Sequence, residues 1–175
     1  MKKILAFAGS TSLNSINKEL AVFAAQNLTK TSFDIIDLND FPLPIFSVDI
    51  EKEGFPESAK KFNTLLDNYD GFILSLAEHN GSYSAAFKNV FDWSSRIESN
   101  FFRDKPLLLM STSPGGRGGA SVLEAGTSKF SRMGAKELFS FSLPNFYENF
   151  KEGKIVHAGF LSNLKGEVTT FEKAL

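Results

Sequence analysis

Hydroxyls and amides crowd the stretch from Gly9 to Asn17, where Ser10, Thr11, Ser12, Asn14, Ser15 and Asn17 follow one another closely. The apolar run Ile4 to Ala8 ahead of them reads as a buried strand, and a helix begins near Ile16 behind them. A strand, a polar turn and a helix start leave unpaired backbone N–H groups at the positive end of a helix dipole. That arrangement is a ready site for a phosphate, to which short hydroxyl side chains add hydrogen bonds. Taken alone, the same residues are equally consistent with a capped turn, because Ser and Asn favour such positions for local reasons.

Two later turns bear on that choice. Glu78, His79, Asn80, Gly81 and Ser82 follow a third apolar run, Gly71 to Leu76. Asn80 offers a donor and an acceptor, and Gly81 lets the backbone approach a flat ring closely. Ser113, Pro114, Gly115, Gly116, Arg117, Gly118 and Gly119 follow a fourth run, Pro106 to Met110. Glycines at four of its last five positions remove side chains where an aromatic plane can lie against backbone; a merely flexible loop is the other reading.

Periodicity supplies the elements that must position these turns. Ile16, Leu20, Ala24 and Leu28 recur four apart and make one apolar helix face. Phe33, Ile35 and Ile36 give a second strand, and the long connection Leu38 to Phe55, with Pro42 and Pro44, is expected at a site, at a subunit contact or as a lid over the core. A helix from about Pro56 to Asn68 leads into the third strand. The helix from residue 84 to about Ile97 carries two apolar lines, Ala86, Val90, Trp93 and Ile97 beside Phe87 and Phe91, so one side is expected on the sheet and the other on a second subunit or in a deep core. A helix bearing Leu123, Phe130 and Met133 is expected to end at Gly134, a fifth strand to run Glu137 to Phe141, and a last helix to span about Leu161 to Leu175, weakened by Gly166 and β-branched residues. Five apolar strands alternating with helices predict an α/β fold, a parallel sheet covered on both faces with ligands beyond the carboxyl ends of its strands. The three polar turns all fall on that edge.

The 175 residues, 42% apolar, are expected to form one domain. A net charge of −1 offers nothing to draw in nucleic acid or anionic lipid. Cysteine is absent, which removes disulfides and thiolate chemistry, and two histidines in unrelated turns argue against a zinc site, so no metal is expected. The five-residue apolar run before Gly9 is too short for a signal core or a membrane span, so a cytoplasmic protein is expected. Ser58 and Lys61 match the S-x-x-K spacing of serine acylases without any partner motif, and there is no nucleophile elbow or P-loop lysine.

The pattern G-S-x-x-x-x-S-x-N at Gly9–Asn17, the E-x-N-G-S turn at Glu78–Ser82 running on through Lys88 and Asn89 to Asp92 and Trp93, and the S-P-G-G-x-G-G loop at Ser113–Gly119 together resemble the NADPH-dependent FMN reductase family over most of residues 3 to 142. The resemblance implies a three-layer flavodoxin-like fold with a five-stranded parallel sheet of order 2-1-3-4-5. It also implies an oxidoreductase that passes a hydride from NADPH or NADH through FMN to a flavin, quinone or similar small acceptor, working as a homodimer or homotetramer. By the same resemblance Ser10, Ser15, Ile16 and Asn17, with Ser12 nearby, would hold the FMN phosphate. Glu78, His79, Asn80, Gly81 and Ser82, with Ser113, Pro114, Gly115, Gly116, Arg117 and Gly118, would hold the ring. No side chain need act as an acid or base, so no catalytic residue is expected.

Three departures stand out. The family usually has Arg where this chain has Ser12, Pro where it has Ala77 and Tyr where it has His79. Losing the arginine removes a charge beside the phosphate, and Arg117 is the candidate to supply one from another loop. His79 is open between stacking on a ring and filling space in the turn. A non-enzymatic, FMN-binding electron carrier is the alternative function.

Overall fold

A computed structural model describes residues 1–175. Strand β1 (Lys3–Gly9) is followed by α1 (Ile16–Gln26), β2 (Ser32–Ile35), a 3-10 turn (Leu38–Asp40), α2 (Val48–Lys52), α3 (Glu57–Asp67) and β3 (Gly71–Leu76). Then come the short strands β4 (Glu78–His79) and β5 (Ser82–Tyr83), α4 (Ala85–Ile97), β6 (Lys105–Thr112), α5 (Ala120–Phe130) and β7 (Ala135–Leu143). The chain ends with α6 (Phe146–Asn149), β8 (Phe150–Lys151), β9 (Lys154–Ile155) and α7 (Ala158–Lys173).

Five strands form one parallel sheet in the order β2-β1-β3-β6-β7, which is 2-1-3-4-5 over the sheet's own strands, as in the flavodoxin-like fold. Side chains alternate across the pleat and so build two cores. Ile4, Ala6, Ile73, Leu108 and Met110 pack with Leu20 and Ala24 of α1 and with Leu164, Val168 and Phe171 of α7. Leu5, Phe7, Phe72, Leu74, Leu107 and Leu109 face Phe62 of α3, Phe87 and Phe91 of α4 and Phe130 of α5. Nineteen phenylalanines in the chain make this second core largely aromatic, and Phe130 contacts Phe87, Phe91 and Phe102 at centroid distances of 4.9 to 6.0 Å.

Several expected boundaries move for identifiable reasons. Helix α5 stops at Phe130, and residues 131–134 form a turn that leaves Gly134 in the left-handed region at φ 84°. Helix α7 begins at Ala158, three residues early, because the ring of His157 caps it by accepting from Phe160 N at 3.4 Å. The turn Glu78 to Tyr83 is a two-residue hairpin: Asn80 and Gly81 have φ of 51° and 73°, the backbone an Asn-Gly pair favours.

The second apolar line of α4 is covered by the chain itself. Residues 38–55 lie across this helix as a strap: Asn89 accepts from Phe46 N at 2.8 Å and donates to Pro44 O at 3.0 Å, while the Trp93 indole donates to Pro44 O at 2.8 Å. Phe46 and Phe55 meet the Trp93 ring edge to face, and Arg96 pairs with both oxygens of Glu51. Of the alternatives open in the sequence, a lid over the core describes the strap and a deep core position describes α4; the helix's two-sidedness calls for no second subunit.

Candidate functional site

Loop 10–15 carries the chain from β1 to α1, and the first turn of the helix is held by its own side chains. Ser15 accepts from Lys18 N at 3.2 Å and Ser10 accepts from Ser12 N at 3.1 Å. The backbone N–H groups of Ser15, Ile16 and Asn17 meet no acceptor inside the chain. They are the open donors of a helix eleven residues long.

Asn17 does something different from what its place in the motif suggests. Its side chain is 3% exposed; Oδ1 accepts from Ser75 Oγ at 2.7 Å and from Thr112 N at 3.0 Å, while Nδ2 donates to Thr112 O at 3.3 Å. The amide thus ties α1 to the ends of β3 and β6, and its backbone N–H is left for a ligand.

From the hairpin, Glu78 reaches sideways. Gly119 precedes α5 and has no side chain to cap it, and Glu78 Oε2 takes that role by accepting from Val122 N at 3.0 Å. Tyr83 anchors the same hairpin against Phe87 and Phe130, and burial raises its phenol pKa above the ordinary value.

The glycine-rich loop divides in two. Gly118 and Gly119 have φ of 58° and 75° and press on the sheet: a Cβ on Gly118 would collide with Ser142 Oγ and come within 3.0 Å of Pro144 N, and one on Gly119 would lie 2.9 Å from Ser111 Cβ. The Gly118 carbonyl accepts from Ser111 Oγ at 2.7 Å and Ser142 Oγ at 3.0 Å. Gly115 faces open space, and a Cβ on Gly116 would be no nearer than 3.7 Å to Asn145. The first pair shapes the loop; the second pair leaves bare backbone beside the site.

These three turns meet at one cleft of about 220 Å³ beyond the carboxyl ends of the strands. Ser10, Ser12, Ser15, Ile16 and Asn17 line it, together with Glu78, His79, Ser113 and Pro114. Asn80, Gly81, Ser82, Gly115, Gly116, Arg117 and Gly118 fall outside its lining. Asn14, Ala77, Thr112 and Tyr147 complete it; Asn14 belongs to the polar stretch singled out in the sequence, whereas Ala77, Thr112 and Tyr147 were not assigned to a site. Thr112 was legible as the polar end of the fourth apolar run; nothing in the sequence marks Tyr147 as projecting into a site built by distant loops.

No lysine or arginine lines the cleft. Arg117, in the turn before α5, donates to Ser121 Oγ in the first turn of that helix at 3.0 Å, so the structure does not bring in the substitute charge considered for it. Lys18, in the first turn of α1, is spent on Asp37 at 2.5 Å, and this bond, with one from Asn39 N, holds the Asp37 carboxyl below its ordinary pKa. The donors that remain are N–H groups, hydroxyls and the His79 ring. A second cleft of about 220 Å³ adjoins through Thr11 and runs between the strap and the Ala86–Val90 side of α4. No cluster of three or more His, Cys, Asp or Glu is placed to hold a metal ion, and no helix is long and apolar enough to cross a membrane.

Comparison with known proteins gives these features a family. A family model described as NADPH-dependent FMN reductase matches residues 2–148, which contain every lining residue of the cleft. The chain belongs to the NADPH-dependent FMN reductase family. A 2-hydroxy-1,4-benzoquinone reductase from a Burkholderia species is 34% identical over 120 residues, 67% of this chain and 64% of that enzyme, so the likeness spans just under two thirds of the relative's length. A quinone reductase of Escherichia coli is 25% identical, with 97% of this chain and 93% of that one covered. Among solved structures, a flavoenzyme NAD(P)H:(acceptor) oxidoreductase from Paracoccus denitrificans superimposes with a TM-score of 0.77 at 23% identity, covering 99% of this chain and 97% of the other. That superposition speaks for the fold.

Proposed function

We propose that the cleft binds FMN, with the phosphate at the N-terminus of α1 and the ring toward His79, Ser113 and Pro114, and that the protein is an NAD(P)H oxidoreductase acting on quinones, flavins or similar small acceptors. The observation that carries this reading is the convergence of three motif-bearing turns on one cleft in a chain of this family. The donor set suits the group. Open N–H groups and hydroxyls match phosphate oxygens, and the bare backbone at Gly115 and Gly116 leaves room for a planar ring.

When bound, FMN supplies the hydride chemistry. The chain's own part is binding and orientation. The N–H groups of Ser15, Ile16 and Asn17 fix the anionic end; Glu78, through Val122, fixes the hairpin against the glycine-rich loop so that their backbone amides keep one spacing at the ring.

Reconstitution tests this. The purified protein, incubated with FMN and freed of excess, should carry flavin absorbance that bleaches within seconds on anaerobic addition of NADPH or NADH and returns on adding a benzoquinone. Flavin that stays bound and oxidised in both nucleotides would identify an electron carrier instead, and a protein that retains no flavin would remove the reading.

We further expect one domain working in the cytoplasm as a homodimer or homotetramer. Exposed Leu13 on the phosphate loop and Ile45 and Val48 on the strap support a subunit contact, which light scattering coupled to gel filtration would detect.

A further inference from the structure

Tyr147 enters the cleft from an element that none of the three motifs includes. It sits on α6, after β7, at 66% exposure, and lines the same space as the phosphate loop. Its mount is fixed. Asn145 N donates to Gly115 O and Phe146 N to Ser113 O, each at 3.0 Å, so α6 is tied directly to the glycine-rich loop. Phe146 is buried and stacks on Phe150 at 4.8 Å and 18°, and Asn149 donates to Pro144 O at 2.8 Å. An aromatic side chain on such a base is positioned although most of its surface is open.

We infer that Tyr147 is a cofactor-binding residue whose hydroxyl donates, from α6, to the phosphate end of the flavin. This rests on the proposed FMN site and deepens it. Six of the cleft's thirteen lining residues lie in or directly after the phosphate loop, and none of the thirteen is a lysine or arginine. A phosphate held without lysine or arginine needs every other donor within reach. Tyr69 spends its hydroxyl inside the chain, on Asp34 at 2.6 Å; the Tyr147 hydroxyl has no partner in the chain and is open to donate. In this chain the phenol takes the place of the arginine that the family motif would put at Ser12, which lines the same cleft.

The test compares FMN with riboflavin, which lacks the phosphate, by quenching of flavin fluorescence on titration with apoprotein. In Tyr147→Phe, FMN affinity should fall about tenfold, the cost of one hydrogen bond to a charged group, while riboflavin affinity stays as in the wild type. Tyr147→Ala should show at least the same loss for FMN, with far-UV circular dichroism and melting temperature unchanged. Unaltered FMN affinity in Tyr147→Phe, or equal weakening of both flavins, would overturn the assignment. Wild-type protein that quenches neither flavin would instead overturn the FMN site itself, an outcome seen before any variant is made.

Discussion

The carboxylate of Glu78 caps a helix that begins more than forty residues later in the chain, accepting from Val122 N at 3.0 Å where Gly119 can offer no cap of its own. One residue thereby belongs to two loops. Replacing it by Ala should cost about 1 kcal/mol, the usual worth of a lost N-terminal cap, whereas Glu78→Gln keeps an acceptor in place and should lose less than half of that. Urea denaturation of the two variants beside the wild type measures the difference. FMN affinity should fall with stability in the Ala variant, because the hairpin and the glycine-rich loop lose their common anchor.

Asn17 is a motif residue whose side chain serves the fold. Asn17→Ala would leave Ser75 Oγ without its acceptor and Thr112 with its N–H and carbonyl stripped of their side-chain partner, all buried, and should destabilise the protein by about 2–4 kcal/mol. Asn17→Asp keeps the acceptor but sets a carboxylate oxygen against Thr112 O, so it should fall between the wild type and the Ala variant at neutral pH and gain on the wild type as acid protonates it. Denaturant midpoints at two pH values would show both.

The two halves of the glycine-rich loop should respond oppositely to a methyl group. Gly118→Ala meets Ser142 and Pro144 in a left-handed backbone and should cost about 2–3 kcal/mol from strain and overpacking together. Gly115→Ala meets nothing and should change stability by less than about 0.5 kcal/mol, so any loss of FMN affinity there reports on the cleft rather than the fold.

That division shows where sequence reading stops. The strand order and the sharing of one edge by three loops follow from local apolar runs and the handedness of crossovers, which depend on little beyond the pattern of residues. Whether a glycine is needed for its own backbone or for a ligand depends on what lies within 4 Å, and for Gly118 that is Ser142, on another strand. Arg117 is the same case in reverse: its charge was visible, but its bond to Ser121 in the first turn of α5 was not. The outer face of α4 resembled a subunit contact because the strap that covers it is irregular and carries no periodicity by which pairing could be read.

Ser12 is exposed and lines the cleft where an arginine would add a charge. Ser12→Arg should therefore tighten FMN binding about tenfold at low salt by a charge-assisted contact to phosphate. The gain should shrink as salt rises toward 0.5 M, because the site is open to solvent. The wild type, with no lysine or arginine in the cleft, should show the flatter salt dependence of the two in the same fluorescence titration.

Glu172 on α7 ties the last helix to the α1–β2 connection. It accepts from Thr29 N and Oγ1, Lys30 N and Thr31 Oγ1, at distances of 2.7 to 3.2 Å. Burial pushes its carboxyl pKa up, but these hydrogen bonds to the charged form outweigh it and hold the value below the ordinary 4.5. A carboxyl depressed in the folded state is deprotonated there while the unfolded chain takes up a proton, so its contribution is complete above pH 4.5 and drains away as acid carries the protein through the folded value. Glu172→Gln should accordingly be less stable than the wild type near neutral pH, by about 1–2 kcal/mol for the weakened bonds to a neutral acceptor. The gap should close on acidification below pH 4.5, since the wild type is then losing what the variant never had. Urea midpoints followed from pH 7 to pH 3 would show the two curves converging, and parallel curves would mean that Glu172 titrates alike in the folded and unfolded chains.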